Sequence, residues 1–134
     1  MVRHIFTESP DFYTYKTSTP GFVSVGLGKL LERDWKCQEP GDLCAMDVYP
    51  WTQTQDGEVL DPIHFLAKPI IGSNAIVEMT YTFGWEGTKA GREPRRNELS
   101  LVQEAGSSCW RLDDIRSGEW SLKESLSNWP HYQE

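Results

Sequence analysis

The chain has no apolar run approaching the ~20 residues that a transmembrane helix needs, so no membrane span is expected. Its first eight residues also lack the apolar segment of a secretion signal. Two locations stay open: the cytoplasm, or the periplasm if the chain is the mature part of an exported protein.

Basic residues are scarce, with 13 Lys and Arg against 20 Asp and Glu and a net charge of −7. Nucleic-acid binding proteins use a basic surface to displace counterions from the phosphate backbone, so nucleic acid is not expected as a partner. An acidic surface favours a basic protein partner, although the same charge also serves solubility. The sequence leaves the oligomeric state open.

Motifs for metal, phosphate and nucleophilic chemistry are missing. Gly26 and Gly28 lie inside a helical pattern and lack the third glycine of a phosphate-binding loop. There is no Gly-x-Ser-x-Gly sequence of the kind that presents a nucleophilic serine. The three cysteines include no CxxC pair. We therefore predict no metal site, no cofactor and no catalytic residue.

Cys37 and Cys44 enclose a turn-rich loop that could bring their side chains within disulfide range. A bridge there would suit an oxidising compartment. Two reduced thiols at a helix end and a strand start are the alternative, and both stay open. Cys109 lies beside Trp110 in a predicted strand, which favours a small buried side chain.

A length of 134 residues indicates a single domain, 1–134, and six Trp in a chain that is 12% aromatic indicate a folded core. Residues 1–19 are predicted as an irregular arm with one helical turn near 11–15, and residues 20–128 as the core. Thr19 as N-cap and Pro20 in the first turn predict a helix to about Lys36.

Strand patterns follow the helix. Sheet character begins at Ile63, and Ala75 to Phe83 alternates with its apolar residues on one face. Two more strands are predicted at 97–104 and 109–115, and Ser121 is predicted to cap a final helix. This order predicts an α+β fold: a curved antiparallel sheet of three to four strands wrapped on an N-terminal helix, cone-like, with a short C-terminal helix.

Several segments resemble the bacterial domain-of-unknown-function family 3828. They are Ala75-Ile-Val-Glu-Met-Thr-Tyr, Leu99-Ser-Leu-Val, Trp110-Arg-Leu-Asp-Asp-Ile and Ser121-Leu-Lys-Glu-Ser-Leu, together with the Pro50-Trp51 and Gln55-Asp56 pairs. That family is similar to the nuclear transport factor 2-like superfamily, which implies a cone of helices packed into a bent sheet. The family's first long helix has no counterpart before Pro20. The resemblance implies the fold and leaves the activity open, since such folds host enzymes and binding proteins alike.

Asp113 and Asp114 are the most conspicuous acidic pair. Adjacent residues of a regular strand point to opposite faces, which predicts that the two carboxylates cannot act together. Trp110, Leu112 and Asp114 would share one face, so Asp114 could enter the cone and serve as a base. The alternative is that Asp114 binds backbone amides at the corner between strand and helix.

Two functions follow from these patterns. The first is a non-catalytic bacterial protein-binding domain, for example an immunity protein that neutralises a basic toxin by occlusion. Its contact residues would come from the 47–56 loop and the 84–96 connection: Tyr49, Trp51, Gln53, Gln55, Asp56, Trp85 and Glu86. The Pro50-Trp51 pair could equally plug the open end of the cone.

The second function is a small-molecule pocket or a proton-transfer enzyme in the cone. Its pocket would be lined by His64, Met79, Tyr81, Phe83, Trp110 and Asp114. His64 paired with Asp56 or Asp114 would supply the proton transfer.

Overall fold

The computed structural model describes residues 2–15, 20–39, 41 and 44–129. Within these ranges, three helices, α1, α2 and α3, and five strands, β1 to β5, follow one another. They are α1 Val2–Glu8, α2 Val25–Gln38, β1 Glu58–Ala67, β2 Asn74–Gly84, β3 Glu93–Gln103, β4 Trp110–Ser117, β5 Trp120–Ser121 and α3 Leu122–Ser127, with a 3₁₀ turn at Phe12–Thr14. No helix in these ranges is both long and apolar enough to cross a bilayer.

The strands form one antiparallel sheet in the order β1-β2-β3-β4-β5. The predicted α+β class is therefore confirmed, with an N-terminal helix and a short C-terminal helix against an open sheet. A fifth strand joins the predicted three or four because Trp120 and Ser121 pair with Ser117 and Arg116 just before α3 begins.

The predicted alternation in β2 is confirmed. Met79, Tyr81 and Phe83 are buried, whereas the residues between them are only partly covered. Leu99 of β3 pairs with Val77 of β2 and is fully buried as well. This face of the sheet is the floor of the core, and the helices cover it.

The N-terminal arm is not irregular throughout, because residues 2–8 form α1. A helix of seven residues is too short to be stable alone, so sequence pattern gave little sign of it. Ile5 is buried in the core and Phe6 packs against it. Packing against the sheet therefore accounts for α1.

Helix α2 begins five residues later than predicted. Its N-cap is Ser24, whose hydroxyl accepts a hydrogen bond from the Leu27 N–H at 3.1 Å. Val23 instead forms a parallel bridge with Leu112 at the free edge of β4. Pro20 therefore lies before the helix, and Thr19, the predicted cap, lies outside the described residues.

Strand β1 begins at Glu58, not at Ile63. Its pairing with β2 breaks between Leu60 and His64, where the register shifts. A register shift disturbs the two-residue period, so the first half of β1 lacks the alternation by which strands are recognised.

Strand β4 contains a β-bulge at the acidic pair. Leu101 pairs with Leu112 and Ser100 pairs with Asp114, so Asp113 is the extra residue. The bulge lets Leu112 and Ile115 both be buried in the core. The predicted assignment of the β4 side chains to the two faces of the strand is therefore wrong, because Asp114 does not share the face of Trp110 and Leu112.

The two carboxylates lie on the same side and both bind Lys123. The Lys123 ammonium is 2.9 and 3.0 Å from the oxygens of Asp113, and the Lys123 N–H donates to Asp114 at 2.9 Å. The opposite orientation that a regular strand predicts is wrong here because the bulge adds one residue between the core positions. The corner role predicted as an alternative for Asp114 is confirmed.

Each aspartate also holds the capping serine of one helix. Ser24, the N-cap of α2, donates its hydroxyl to Asp113 at 2.7 Å. Ser121, the N-cap of α3, donates to Asp114 at 2.7 Å and accepts from the Glu124 N–H. The bulge thus ties the first turns of both helices to β4.

The far end of α2 is held by a disulfide and a buried carboxylate. Cys37 and Cys44 form a disulfide in the structure. Asp34 is fully buried and accepts from the Ala45 N–H at 2.8 Å. Cys109 is free and exposed, which contradicts its predicted burial, since β4 begins only at Trp110.

Trp51 joins the N-terminal segment to the sheet. Its side chain is fully buried, and its indole N–H donates to the Pro10 carbonyl at 3.0 Å. The ring of Phe6 meets it edge-on, with centroids 5.1 Å apart. From the sheet, the buried Asn97 amide donates to the Trp51 carbonyl at 2.8 Å.

We predict that Asp114→Ala lowers the free energy of unfolding by about 2–3 kcal/mol, because it removes a charged acceptor from buried donors. Asp113→Ala should cost about 1 kcal/mol and depend on salt, since its ion pair with Lys123 is partly exposed. Urea unfolding at low and high salt measures both values. Equal losses at the two positions would contradict the assignment of the corner to Asp114.

We predict that Trp51→Ala lowers the free energy of unfolding by about 3–5 kcal/mol, as for other buried aromatic residues. Trp51→Phe should cost less because it keeps a ring beside Phe6. Trp85→Ala is the control, since Trp85 is 36% exposed and should tolerate truncation far better. Thermal unfolding followed by circular dichroism compares the three variants, and similar losses for Trp51→Ala and Trp85→Ala would refute the prediction.

Candidate binding site

The residues predicted for the 47–56 loop divide into buried and exposed sets. Trp51 is buried, which favours the plug over a partner contact. Gln53 has a positive φ of 61°, and its side-chain amide donates to the Pro50 carbonyl and to the Asn97 side chain. Gln55 and Asp56 are exposed. The loop is therefore fixed from below and presents only part of its predicted contact set.

Strand β3 holds the loop from underneath. The Arg95 guanidinium donates to the Thr52 carbonyl at 3.1 Å and lies 3.7 Å above the centre of the Phe83 ring. Gly57 closes the loop with a φ of 102°, and a β-carbon there would meet the same ring at 2.4 Å. Only glycine fits this position, and the absence of a side chain lets the loop approach the sheet closely.

The second predicted segment is the connection between β2 and β3, which spans residues 85–92 because β3 starts at Glu93. Trp85 and Glu86 are both exposed, as expected of contact residues. The Trp85 ring meets Phe83 edge-on at 5.4 Å, and the Arg92 side chain donates to the Thr88 carbonyl at 2.8 Å. The connection is thus an ordered, exposed turn.

The two predicted segments meet at one groove of about 400 Å³, here called the acidic groove. Its side chains come from α1, the turn after it, the 47–56 loop, the start of β1 and the 85–92 connection. They are Phe6, Asp11, Tyr49, Glu58, Val59, Leu60 and Glu86. Of the residues predicted from sequence, Tyr49 and Glu86 come together here.

The charges of the acidic groove are of one sign. Asp11, Glu58 and Glu86 are exposed, and no Lys or Arg belongs to its described lining. The Glu58 carboxylate accepts from the Glu86 N–H at 3.1 Å, which links β1 to the 85–92 connection. The groove therefore combines carboxylates with the rings of Phe6 and Tyr49, and such a surface attracts cations.

Tyr49 is one of the two aromatic residues in the described lining of this groove. Its N–H donates to the Thr54 carbonyl at 2.8 Å, and its ring lies 6.4 Å from that of Tyr13. Burial raises the pKa of Tyr49 to about 12, and the neighbouring Tyr13 and Asp11 act in the same direction. The side chain is therefore neutral at physiological pH and adds an aromatic ring to the lining that holds the carboxylates.

Five side chains of the described groove lining escaped prediction from sequence: Phe6, Asp11, Glu58, Val59 and Leu60. Glu58 follows the Asp56–Gly57 turn, so its closeness to the loop was a usable signal. Phe6 and Asp11 reach the groove through α1 and the turn after it, and nothing local in the sequence pairs them with Tyr49. They could be found only from the tertiary structure.

The residues predicted for an interior pocket do not form one. Met79, Tyr81 and Phe83 are buried in a core that Phe12, Leu27, Leu31 and Trp51 also fill. Burial raises the pKa of Tyr81, although the nearby Arg95 opposes the shift. Trp110 is only partly buried, and Asp114 is at the corner between β4 and α3. The structure thus separates the members of the predicted pocket.

His64 lies far from the carboxylate predicted to assist it. It is exposed in β1, whereas Asp114 is in β4, and two strands lie between them. Three strand spacings of about 4.8 Å separate β1 from β4. Within the described ranges, no hydrogen bond or ion pair joins His64 to Asp56 either, so the predicted couples are not assembled.

We predict that Tyr49 makes the stability of the folded protein fall at alkaline pH. The folded protein favours the neutral form of this side chain, so the stabilising contribution of that form is complete below the unfolded pKa of ~10 and is lost as the pH rises to about 12. Tyr49→Phe should therefore lose less stability than the parent between pH 9 and pH 11 in urea unfolding. Tyr15→Phe, at an exposed tyrosine, is the control. An unchanged pH dependence in Tyr49→Phe would contradict this.

Comparison of the chain with family models, with curated proteins and with solved structures finds no match in any of the three. The resemblance to the domain-of-unknown-function family 3828 and to the nuclear transport factor 2-like superfamily therefore stays a prediction. The α+β architecture stands on the structure itself.

Proposed function

We propose that this chain is a non-catalytic protein-binding domain whose acidic groove takes a basic segment of a partner protein. The observation that carries the proposal is the presence of Asp11, Glu58, Glu86 and Tyr49 in one groove, with no basic side chain in the described lining. The net charge of −7 adds long-range attraction for a basic partner.

The groove suits an arginine side chain best. A guanidinium can bind a carboxylate through two parallel hydrogen bonds while its plane stacks on an aromatic ring. The Glu58 carboxylate accepts from the Glu86 N–H, and the Tyr49 and Phe6 rings lie in the same groove. Carboxylate and ring are thus available to one bound side chain.

Binding of this kind acts by covering a surface. Gln55, Asp56 and Trp85 are exposed in the same two segments and would extend the contact beyond the groove. In its most concrete form the proposal is a bacterial immunity protein that neutralises a basic toxin by steric occlusion. Occlusion needs no cofactor and no titrating group.

We expect a capped peptide of alternating Arg and Gly to bind the chain, with an affinity that falls as salt is added. Glu58→Gln and Glu86→Gln should each weaken binding about threefold, the size of a partly exposed ion pair. Isothermal titration calorimetry measures the affinity. Glu119→Gln is the matched control, because it changes the net charge equally at an exposed turn outside the groove.

The natural partner can be sought with the same variants. The parent chain and the Glu58→Gln, Glu86→Gln double variant, each immobilised, would be exposed to extract of the source organism, and retained proteins identified by mass spectrometry. A basic protein held by the parent and lost from the double variant supports the proposal. Equal weakening of peptide binding by Glu119→Gln, or no saturable binding, would sink it.

A further inference from the structure

A second groove lies at the other end of β1, where the chain turns into β2. Its volume is about 360 Å³, and we call it the apolar groove. Its floor is built by Phe65, Val77, Leu101 and Trp110, one from each of the strands β1 to β4. The acidic groove takes Glu58 to Leu60 from the opposite end of β1, so the two grooves share no described residue.

The hairpin beside the apolar groove exposes large aliphatic side chains. Ile70, which lines the groove, is 62% exposed, and its neighbour Ile71 is 78% exposed. Single exposed aliphatic residues are common on protein surfaces. Here the exposed isoleucines lie next to a concave apolar floor, and a concave apolar surface is the usual form of a small-molecule site.

The charges of this groove are opposite to those of the chain as a whole. Arg3 and Lys68 belong to its lining, and no carboxylate belongs to the lining that the structure describes. The Arg3 guanidinium lies 4.8 Å above the centre of the Phe65 ring, so α1 places a cation directly on the floor. Lys68 is 3.5 Å from Glu78, but that carboxylate is also 3.7 Å from Arg96. One anion thus faces two cations.

We infer that the apolar groove binds a small organic anion with an apolar body, of the class of a medium-chain fatty acid. The alkyl chain would lie on Phe65, Val77 and Leu101, and the carboxylate would face Arg3 and Lys68. The volume of 360 Å³ is at the lower end of the ~300–1,000 Å³ typical of ligand pockets, which limits the ligand to a short or medium chain. This inference does not depend on the proposed protein partner.

The test is a length series of octanoate, decanoate and dodecanoate, titrated calorimetrically as monomers. Burial of each methylene should raise the affinity about fourfold until the groove is filled. The alcohol and the trimethylammonium ion of the same chain length should bind more weakly than the carboxylate. Arg3→Gln should lower the carboxylate affinity about threefold and leave the alcohol unaffected.

Two neighbouring isoleucines supply a matched pair of variants. Ile70→Ser should lower the affinity at least about threefold, because Ile70 lines the groove. Ile71→Ser, at a residue that is even more exposed but outside the described lining, should leave it unchanged. Both positions are exposed, so neither variant should disturb folding, and circular dichroism checks this.

A second readout uses the single free thiol. Cys109 is exposed and precedes Trp110, so an environment-sensitive fluorophore attached there should respond to dodecanoate with the same affinity as the calorimetry. Equal binding of the trimethylammonium ion, equal loss in Ile70→Ser and Ile71→Ser, or no saturable binding would overturn the inference. Binding to phosphatidylglycerol vesicles without binding of the free acid would overturn it too, since that would indicate a membrane surface.

Discussion

The bulge at Asp113 and Asp114 is the constraint on which the arrangement of helices and sheet depends. By inserting one residue into β4, it brings two carboxylates to one side of the strand, where each accepts the hydroxyl of a helix-capping serine. Carboxylates near helix N-termini are also stabilised by the positive end of the helix dipole. Helices α2 and α3 therefore start from fixed points on the sheet. From these points they bury Leu27 and Leu122 over the same core.

Trp51 fixes the position of the surface loop to which it belongs. Its ring is enclosed by the N-terminal segment, and its backbone is held by Asn97 of β3. Tyr49 is close in the chain to Trp51, and Asp11 belongs to the N-terminal segment that encloses the Trp51 ring. Both residues therefore have an already positioned backbone at the acidic groove. A side chain that a partner contacts needs little further ordering when its backbone is fixed, which lowers the entropic cost of binding. In the proposed function, the buried tryptophan would support recognition without itself being exposed.

Sequence patterns predicted the parts of this structure that obey a simple period. The alternation of β2 placed Met79 and Phe83 correctly, and the capping role of Ser121 followed from its position before an apolar pair. The bulge was beyond reach, because a two-residue period says nothing about an inserted residue, and so Asp113 and Asp114 were assigned to opposite faces. Of the candidate site, Tyr49 and Glu86 were predicted. Asp11 was missed because its closeness to them arises only from tertiary packing.

The two ends of β1 lead to grooves whose charged side chains have opposite sign. One end carries Glu58 within an acidic groove, and the other leads to Lys68 and an apolar groove with basic residues. Between them the register shift from Leu60 to His64 interrupts the pairing with β2. Charges of opposite sign at two ends of one strand orient an approaching molecule as well as attracting it. The proposed basic segment would be attracted to the first end and the proposed organic anion to the second. Since no described residue is shared, occupation of one groove leaves the contacts of the other intact.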